Sequence, residues 1–201
     1  MNKDIMKTFI IQEMKNGDIR KKYFPMITDI GIRDYSEAVH SSGLNYLTQI
    51  GREINRVVAL SEYPIYPVSK TYTHTTTRIV RSDSVWFAKQ TFKPLLIAEF
   101  ERYEGSKQKN RKLKEKIENL LLSYHQLGAQ IPLLLFVYWT YNDGTIAKNI
   151  ETYLRIFDEG FSLNGQWIPG INTHHTDYLV FQAVAQGTKE HLIMNQWIKV
   201  R

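Results

Sequence analysis

Asp83, Glu99 and Glu101 are the residues of this sequence best suited by type and spacing to hold a cation. Residues 95–101, Leu-Leu-Ile-Ala-Glu-Phe-Glu, read as a buried strand, and strand side chains alternate between faces. Leu95, Ile97, Glu99 and Glu101 therefore share one face, and Leu96, Ala98 and Phe100 the other. Two carboxylates on one face of a buried strand repel each other and lose hydration, a cost that a hard cation with oxygen ligands offsets. Asp83, on the preceding strand, is the third ligand if the register brings it alongside. Each acid alone has an ordinary alternative: Asp83 as a turn cap, and Glu99 with Glu101 as a strand emerging into solvent beside Arg102. The three in this order favour the metal reading.

The elements that would position these acids can be read outward from them. Upstream, Leu47, Ile50, Ile54, Val57 and Val58 recur at helical spacing, with Glu53 on the border of that apolar face. Asp34 or Ser36 is the candidate cap for this helix, and Ser41-Ser42-Gly43 reads as a break or restart. Pro64 and Pro67 bracket an extended stretch at 62–68, and the Thr-rich residues 71–77 read as a sheet edge. Residues 78–87 and 95–101 then form two strands joined by a short turn, hence antiparallel neighbours.

Downstream, Leu113, Ile117, Leu120, Leu121, Tyr124 and Leu127 make a helical apolar stripe ending near Gly128. Residues 131–139 are apolar almost throughout, the pattern of a central strand covered on both faces and reached by a helical crossover. The middle of the chain thus reads helix, strand, strand, strand, helix, strand. Residues 146–157 read as a helix and 178–200 as two strands meeting at Gly187-Thr188, with no place on the sheet assigned to them.

Composition narrows the chemistry. The 201 residues suffice for one domain with a substantial core, and 43% hydrophobic with 23% charged residues argue against disorder. There is no cysteine, which removes disulfides, thiolate-bound zinc, iron–sulfur clusters and thiol nucleophiles and leaves oxygen or histidine as metal ligands. The amino-terminal residues 1–15 mix charges into their apolar positions, unlike a signal peptide, and no apolar run is long enough to span a membrane as a helix, so a cytoplasmic protein without membrane attachment is expected. The net charge is +6, and six basic residues (Lys107, Lys109, Arg111, Lys112, Lys114 and Lys116) fall within 107–116 against the single acid Glu115. They suit phosphate contacts or, more plainly, a solvated helix face. His174 and His175, adjacent and thus on opposite strand faces, read as surface residues, His125 as a core-edge histidine, and His40, His74 and His191 fit no recognisable set. Phosphate-binding glycine loops, dinucleotide fingerprints and serine-hydrolase elbows are missing from the sequence.

The segments Arg81-Ser82-Asp83-Ser84-Val85-Trp86 and Leu95-Leu96-Ile97-Ala98-Glu99-Phe100-Glu101, with the element order around them, resemble the PD-(D/E)xK, or restriction-endonuclease-like, nuclease superfamily. The resemblance covers roughly residues 44–139, about half the chain, and leaves 140–201 as an extension of unknown placement. It implies an α/β fold with a mixed central sheet flanked by helices. It also implies Asp83 and Glu99 as ligands of Mg²⁺ or Mn²⁺, with Glu53 as the acid of the first core helix. Glu101 stands where lysine is usual in such motifs; it would add a ligand or act as general base. The positive charge of the missing lysine would then come from a lysine within 107–116 on the following helix, with Lys107 and Lys109 nearest in sequence.

The activity implied is hydrolysis of phosphodiester bonds in DNA. Arg102, Lys107, Lys109, Arg111 and Lys112 are the expected backbone contacts, with Tyr103 a weaker one, and a homodimer is the arrangement that would let two sites reach two strands. The rival expectation is a non-catalytic protein of this fold that binds nucleic acid or a protein partner. A further alternative is an unrelated α/β protein in which Asp83 and Glu99 lie apart.

Overall fold

The computed structural model describes residues 2–66, 79–141, 147 and 149–201. In chain order the elements are α1 (Lys3–Asn16), α2 (Asp18–Tyr23), α3 (Pro25–Thr28), α4 (Ser36–Glu53), β1 (Val57–Ile65), β2 (Val80–Ala88), β3 (Pro94–Arg102), α5 (Lys107–Gln126), β4 (Leu133–Tyr141), α6 (Ile150–Glu159), β5 (Gly160–Leu163), β6 (Gln166–Pro169), β7 (Asp177–Gly187) and β8 (Leu192–Lys199). The Thr-rich segment 71–77 with its His74, residues 67–68 and 78 at the ends of the expected extended stretch and strand, and residues 146 and 148 of the expected helix 146–157 lie outside the described residues.

Six strands form one mixed sheet in the order β1-β2-β3-β4-β7-β8, and β5 pairs with β6 in a separate hairpin. β1, β2 and β3 are successive antiparallel neighbours, β3, β4 and β7 run parallel, and β8 returns antiparallel at the edge. β4 lies between β3 and β7 because its side chains are buried on both faces from Leu133 to Thr140, leaving no polar side for water. The two carboxy-terminal strands extend the same sheet beyond it. The sheet separates two cores. One lies under α1, α2 and α4 and includes Leu47, Ile50, Trp86, Leu96 and Phe100; the other lies under α5, α6 and the β5–β6 hairpin and includes Val85, Ile97, Leu113, Ile117 and Phe136. The result is an α/β fold with helices on both faces. Among the described residues no helix is long and apolar enough to cross a membrane.

Three local expectations are corrected. Val57 and Val58 do not extend the helix: α4 ends at Glu53, Arg56 adopts a left-handed φ of 65°, and the β-branched pair opens β1. Asp34 does not cap α4, since its carboxylate takes both Nη atoms of Arg102, at 2.9 and 3.2 Å; Tyr35 occupies the cap position without a side-chain bond. Ser41-Ser42-Gly43 does not interrupt α4. Gly43 is where the helix meets the sheet, and a Cβ there would overlap the Phe100 ring; at Gly51 it would press on Trp86 and Ala59. Glycine at these positions lets α4 approach the strands closely, which outweighs its poor helix propensity.

Gly43→Ala therefore tests the packing of α4 on β3. Helix propensity alone predicts a gain of about 1 kcal/mol, whereas overlap with Phe100 predicts a net loss of about 1–2 kcal/mol. Urea unfolding of the variant against the parent gives the sign, and a gain would mean that α4 does not sit on Phe100.

Candidate functional site

Asp83 owes its position to a break in the alternation of two strands. Ser84 faces α4, where its Oγ accepts the Thr48 hydroxyl at 2.9 Å; Ser82, two residues earlier, faces α5, with its Oγ 3.2 Å from that of Ser123. On a regular strand residues two apart share a face. β1 switches in step: Val57 and Ala59 pack in the α4 layer, Tyr63 and Ile65 in the α5 layer. The pairing of Ser61 with Ser84 and Tyr63 with Ser82 sets Glu62 opposite Asp83, and Glu62 holds a left-handed φ of 49°. Such a conformation costs a residue with a Cβ roughly 1–2 kcal/mol.

At this switch the Asp83 carboxylate turns along the sheet toward β3. Its Oδ2 accepts the Phe100 backbone N–H at 2.8 Å, just past the last β2–β3 register pair, Ser84 with Ala98. Lying in the sheet rather than on one face, it is reached from both layers. His40 of α4 places Nε2 3.5 Å from Oδ1, and Lys116 of α5 places Nζ 3.2 Å from both carboxylate oxygens.

Glu99 comes from the neighbouring strand on the α5 side. It is fully buried, its Oε2 accepts from Lys116 Nζ at 2.5 Å, and its Oε1 is buried without a hydrogen-bond partner. A single ammonium thus lies between two buried carboxylates. Burial pushes Glu99 well above the usual carboxylate range and the charge of Asp83 adds to this, with Lys116 acting against both. Asp83 is also buried, yet its hydrogen bonds and charge contacts with His40, Lys116 and the Phe100 N–H hold it below its ordinary value. Burial opposes the charge on Lys116 as well, but Glu99 and then Asp83 raise its pKa and keep it protonated.

The other residues singled out in the sequence are dispersed. Glu101 does not join Asp83 and Glu99: its Oε1 accepts the adjacent Arg102 N–H at 3.0 Å and lies 4.0 Å from Lys109 Nζ. Among the described residues no three His, Asp or Glu side chains gather as a metal-binding group. Glu53 sits exposed at the far end of α4, hydrogen-bonded by Gln49; thirteen residues along the helix from His40 correspond to about 20 Å. Arg102 is bound to Asp34, lies 3.2 Å from Glu104 and covers the Trp139 ring at 4.8 Å, while Tyr103 is buried. Lys107 and Lys112 are exposed on α5, and Arg111 pairs with Glu115 at 3.4 Å. His125 is buried against the Pro169 carbonyl at 2.7 Å, and His174 and His175 lie in an exposed turn.

No protein family, curated protein or solved structure matches the chain.

Sequence reasoning leaves two residues of the site unresolved: it assigns a positive charge to a lysine within 107–116 without selecting Lys116, and it places His40 in no set. Lys116 lies three positions after Leu113 and four before Leu120, so the phase that marks the buried stripe of α5 also marks this lysine as bordering the core. His40 lies one turn before Gly43, on the side of α4 that meets Phe100; the rings of His40 and Phe100 are 6.3 Å apart. The first signal was present in the hydrophobic pattern, whereas the second required knowing why Gly43 is glycine. Chemically, the arrangement offers one unpartnered carboxylate oxygen, further carboxylate oxygens shared with an ammonium, and that ammonium on a flexible stem. The carboxylate oxygens of Asp83 and Glu99 are of the type that a hard cation such as Mg²⁺ or Mn²⁺ takes.

Two measurements test this charge balance. Lys116→Met removes the cation between two buried acids and should destabilise the fold by about 3 kcal/mol in urea unfolding at neutral pH. Glu99 has its folded pKa raised above the ordinary 4.5, so the stability it contributes is full below that value and is lost as pH rises through the folded pKa. Glu99→Gln lacks this titration. Unfolding at a series of pH values from 4 to 8 should therefore show the variant gaining on the parent as pH rises; a constant difference would place the Glu99 carboxyl in water.

Proposed function

We propose that this chain is a metal-dependent nuclease of the restriction-endonuclease-like kind acting on DNA, with its active site at the junction of β2, β3 and α5. The observation that carries the reading is the buried Glu99 Oε1 without a partner beside the Asp83 carboxylate, in a cluster whose remaining oxygens are held by an ammonium. The element order supports it. A helix, three antiparallel strands, a crossover helix and a strand parallel to the third follow one another from α4 to β4, the order the sequence resemblance implies.

In this reading Asp83 and Glu99 hold a Mg²⁺ or Mn²⁺ ion. When bound, the ion favours ionisation of the attacking water and stabilises negative charge on the phosphate. His40 and the Phe100 N–H keep the Asp83 carboxylate fixed in orientation. Lys116 serves as the lysine whose usual motif position is taken by Glu101; its ammonium, tethered by a four-carbon stem beside both acids, donates to a phosphate oxygen once it is released from between them. In the same reading Glu101, two residues along the same strand, would accept the proton of the attacking water once it turns from the Arg102 N–H. It borders a cleft of about 160 Å³ shared with Lys112, Glu115, Lys116 and Asn119. Double-strand cleavage would require a second site, which a homodimer supplies.

A second reading has one observation in its favour: Lys116 already forms ion pairs with both acids, so the cluster can persist as a buried ion group in a protein that only binds nucleic acid or another protein. Incubation with supercoiled plasmid separates the two. The parent should nick the plasmid with Mg²⁺ or Mn²⁺ and not with EDTA, and Asp83→Ala, Glu99→Ala and Lys116→Ala should each lower the rate by about 10²-fold or more. Plasmid left intact across varied sequences, with binding unaffected by Asp83→Ala, would establish the binding protein.

A further inference from the structure

The basic cluster of α5 is divided by the helix. At about 100° per residue, Lys109, Lys112, Lys116 and Asn119, spaced 3, 4 and 3 apart, lie along one flank. This flank borders the sheet at β3: Lys116 reaches Asp83 and Glu99, Lys109 lies 4.0 Å from Glu101, and Lys112, Lys116 and Asn119 line the cleft with Glu101. Lys107, Arg111 and Lys114 point elsewhere on the helix, the last two in one-turn pairs with Glu115 and Glu118, each at 3.4 Å.

A second observation concerns the end of the helix that carries these cations. The amino-terminal turn of a helix has positive polarity and favours acids. The first turn of α5 contains none, and Lys107 and Lys109 stand there instead, while the last turn has only His125. This placement works against the helix and raises the positive potential beside the Asp83 and Glu99 cluster. An anionic ligand lying along the flank would relieve it.

We propose that the Lys109–Lys112–Asn119 flank of α5 is the track for the phosphodiester backbone of the strand that is cut, with Lys109 and Lys112 each holding a phosphate next to the one presented to Lys116. This rests on the nuclease reading for the identity of the ligand and goes beyond it in assigning the side of the helix. It withdraws Lys107 and Arg111 from the interface.

The test compares two double variants of equal charge loss, Lys109→Ala with Lys112→Ala and Arg111→Ala with Lys114→Ala. Binding of a short fluorescein-labelled DNA duplex is measured in EDTA over a range of salt. The first pair should weaken binding roughly tenfold per lysine at 0.1 M salt and reduce the slope of log K against log salt by about 1.8, since each phosphate contact contributes about 0.9. The second should leave the slope unchanged, and Lys112→Arg should bind as the parent does. Equal losses in the two doubles would show that only net charge matters and would overturn the track, as would a parent that does not bind the duplex. The nuclease reading is judged separately by plasmid nicking: cleavage with equal losses rejects the track alone, and unequal losses without cleavage reject the nuclease alone.

Discussion

The hydrogen bond from the Phe100 N–H to the Asp83 carboxylate is the contact on which the arrangement of this molecule turns. A buried backbone N–H must find an acceptor, and in a sheet the neighbouring strand's carbonyl ordinarily supplies it. Here a side-chain oxygen does so at 2.8 Å, where β2 and β1 change the faces they present. The substitution satisfies the strand and also places a negative charge within the sheet. From that position α4 can reach it with His40 and α5 with Lys116, so helices on opposite faces meet at one group. Were Asp83 on a regular strand, one layer would be closed to it.

The left-handed turn at Glu62 belongs to the same constraint. β1 is paired with β2 on both sides of the switch, Ser61 with Ser84 and Tyr63 with Ser82, so it must change faces in register with its neighbour. The strain falls on an exposed residue. The close approach of α4, made possible by glycine at positions 43 and 51, brings His40 to the depth of the sheet. Strain, glycine spacing and a side-chain acceptor thus support one small region from three elements. The remaining pairings are regular except for shifts at Trp86/Phe87 and Val184/Gln186.

Hydrophobic periodicity made much of this fold legible. The alternation in residues 95–101, the uninterrupted apolar run of β4 and the stripe of α5 each follow from burial on one face or two, and each element lies within a few residues of its expected place. Asp83 and Glu99 stood out because acids interrupt apolar strands. Periodicity gave no account of α1 to α3, where short helices wrap the edge of the sheet around a buried Glu13, Arg20 and Tyr46 network. It misplaced Val57 and Val58 because two adjacent β-branched residues fit a helical stripe and a strand start equally well. It also set Glu101 with Glu99: same-face logic correctly puts them on one side of β3 but does not say that Glu101 will turn to its own backbone and to Lys109. Glu53 was drawn in by its border position on α4, which specifies a direction around the helix but no distance along it.

The state of the site without a cation follows from its charges. Burial and the charge of Asp83 raise the proton affinity of Glu99, while contacts with His40, Lys116 and the Phe100 N–H hold Asp83 below its ordinary value, so burial resists a second negative charge beside the one ammonium. The raised affinity of Glu99 for a proton is thus the counterpart of a single ammonium serving two acids. In the proposed reading Asp83 and Glu99 would hold a divalent cation, which would supply the positive charge that Lys116 now brings from α5. Lys116 would then be a positive charge still anchored beside the reacting atoms. In the proposed nuclease the same residue would stabilise the buried acids before binding and serve a phosphate afterwards, although it stands on α5, one strand beyond that of Asp83 in sequence.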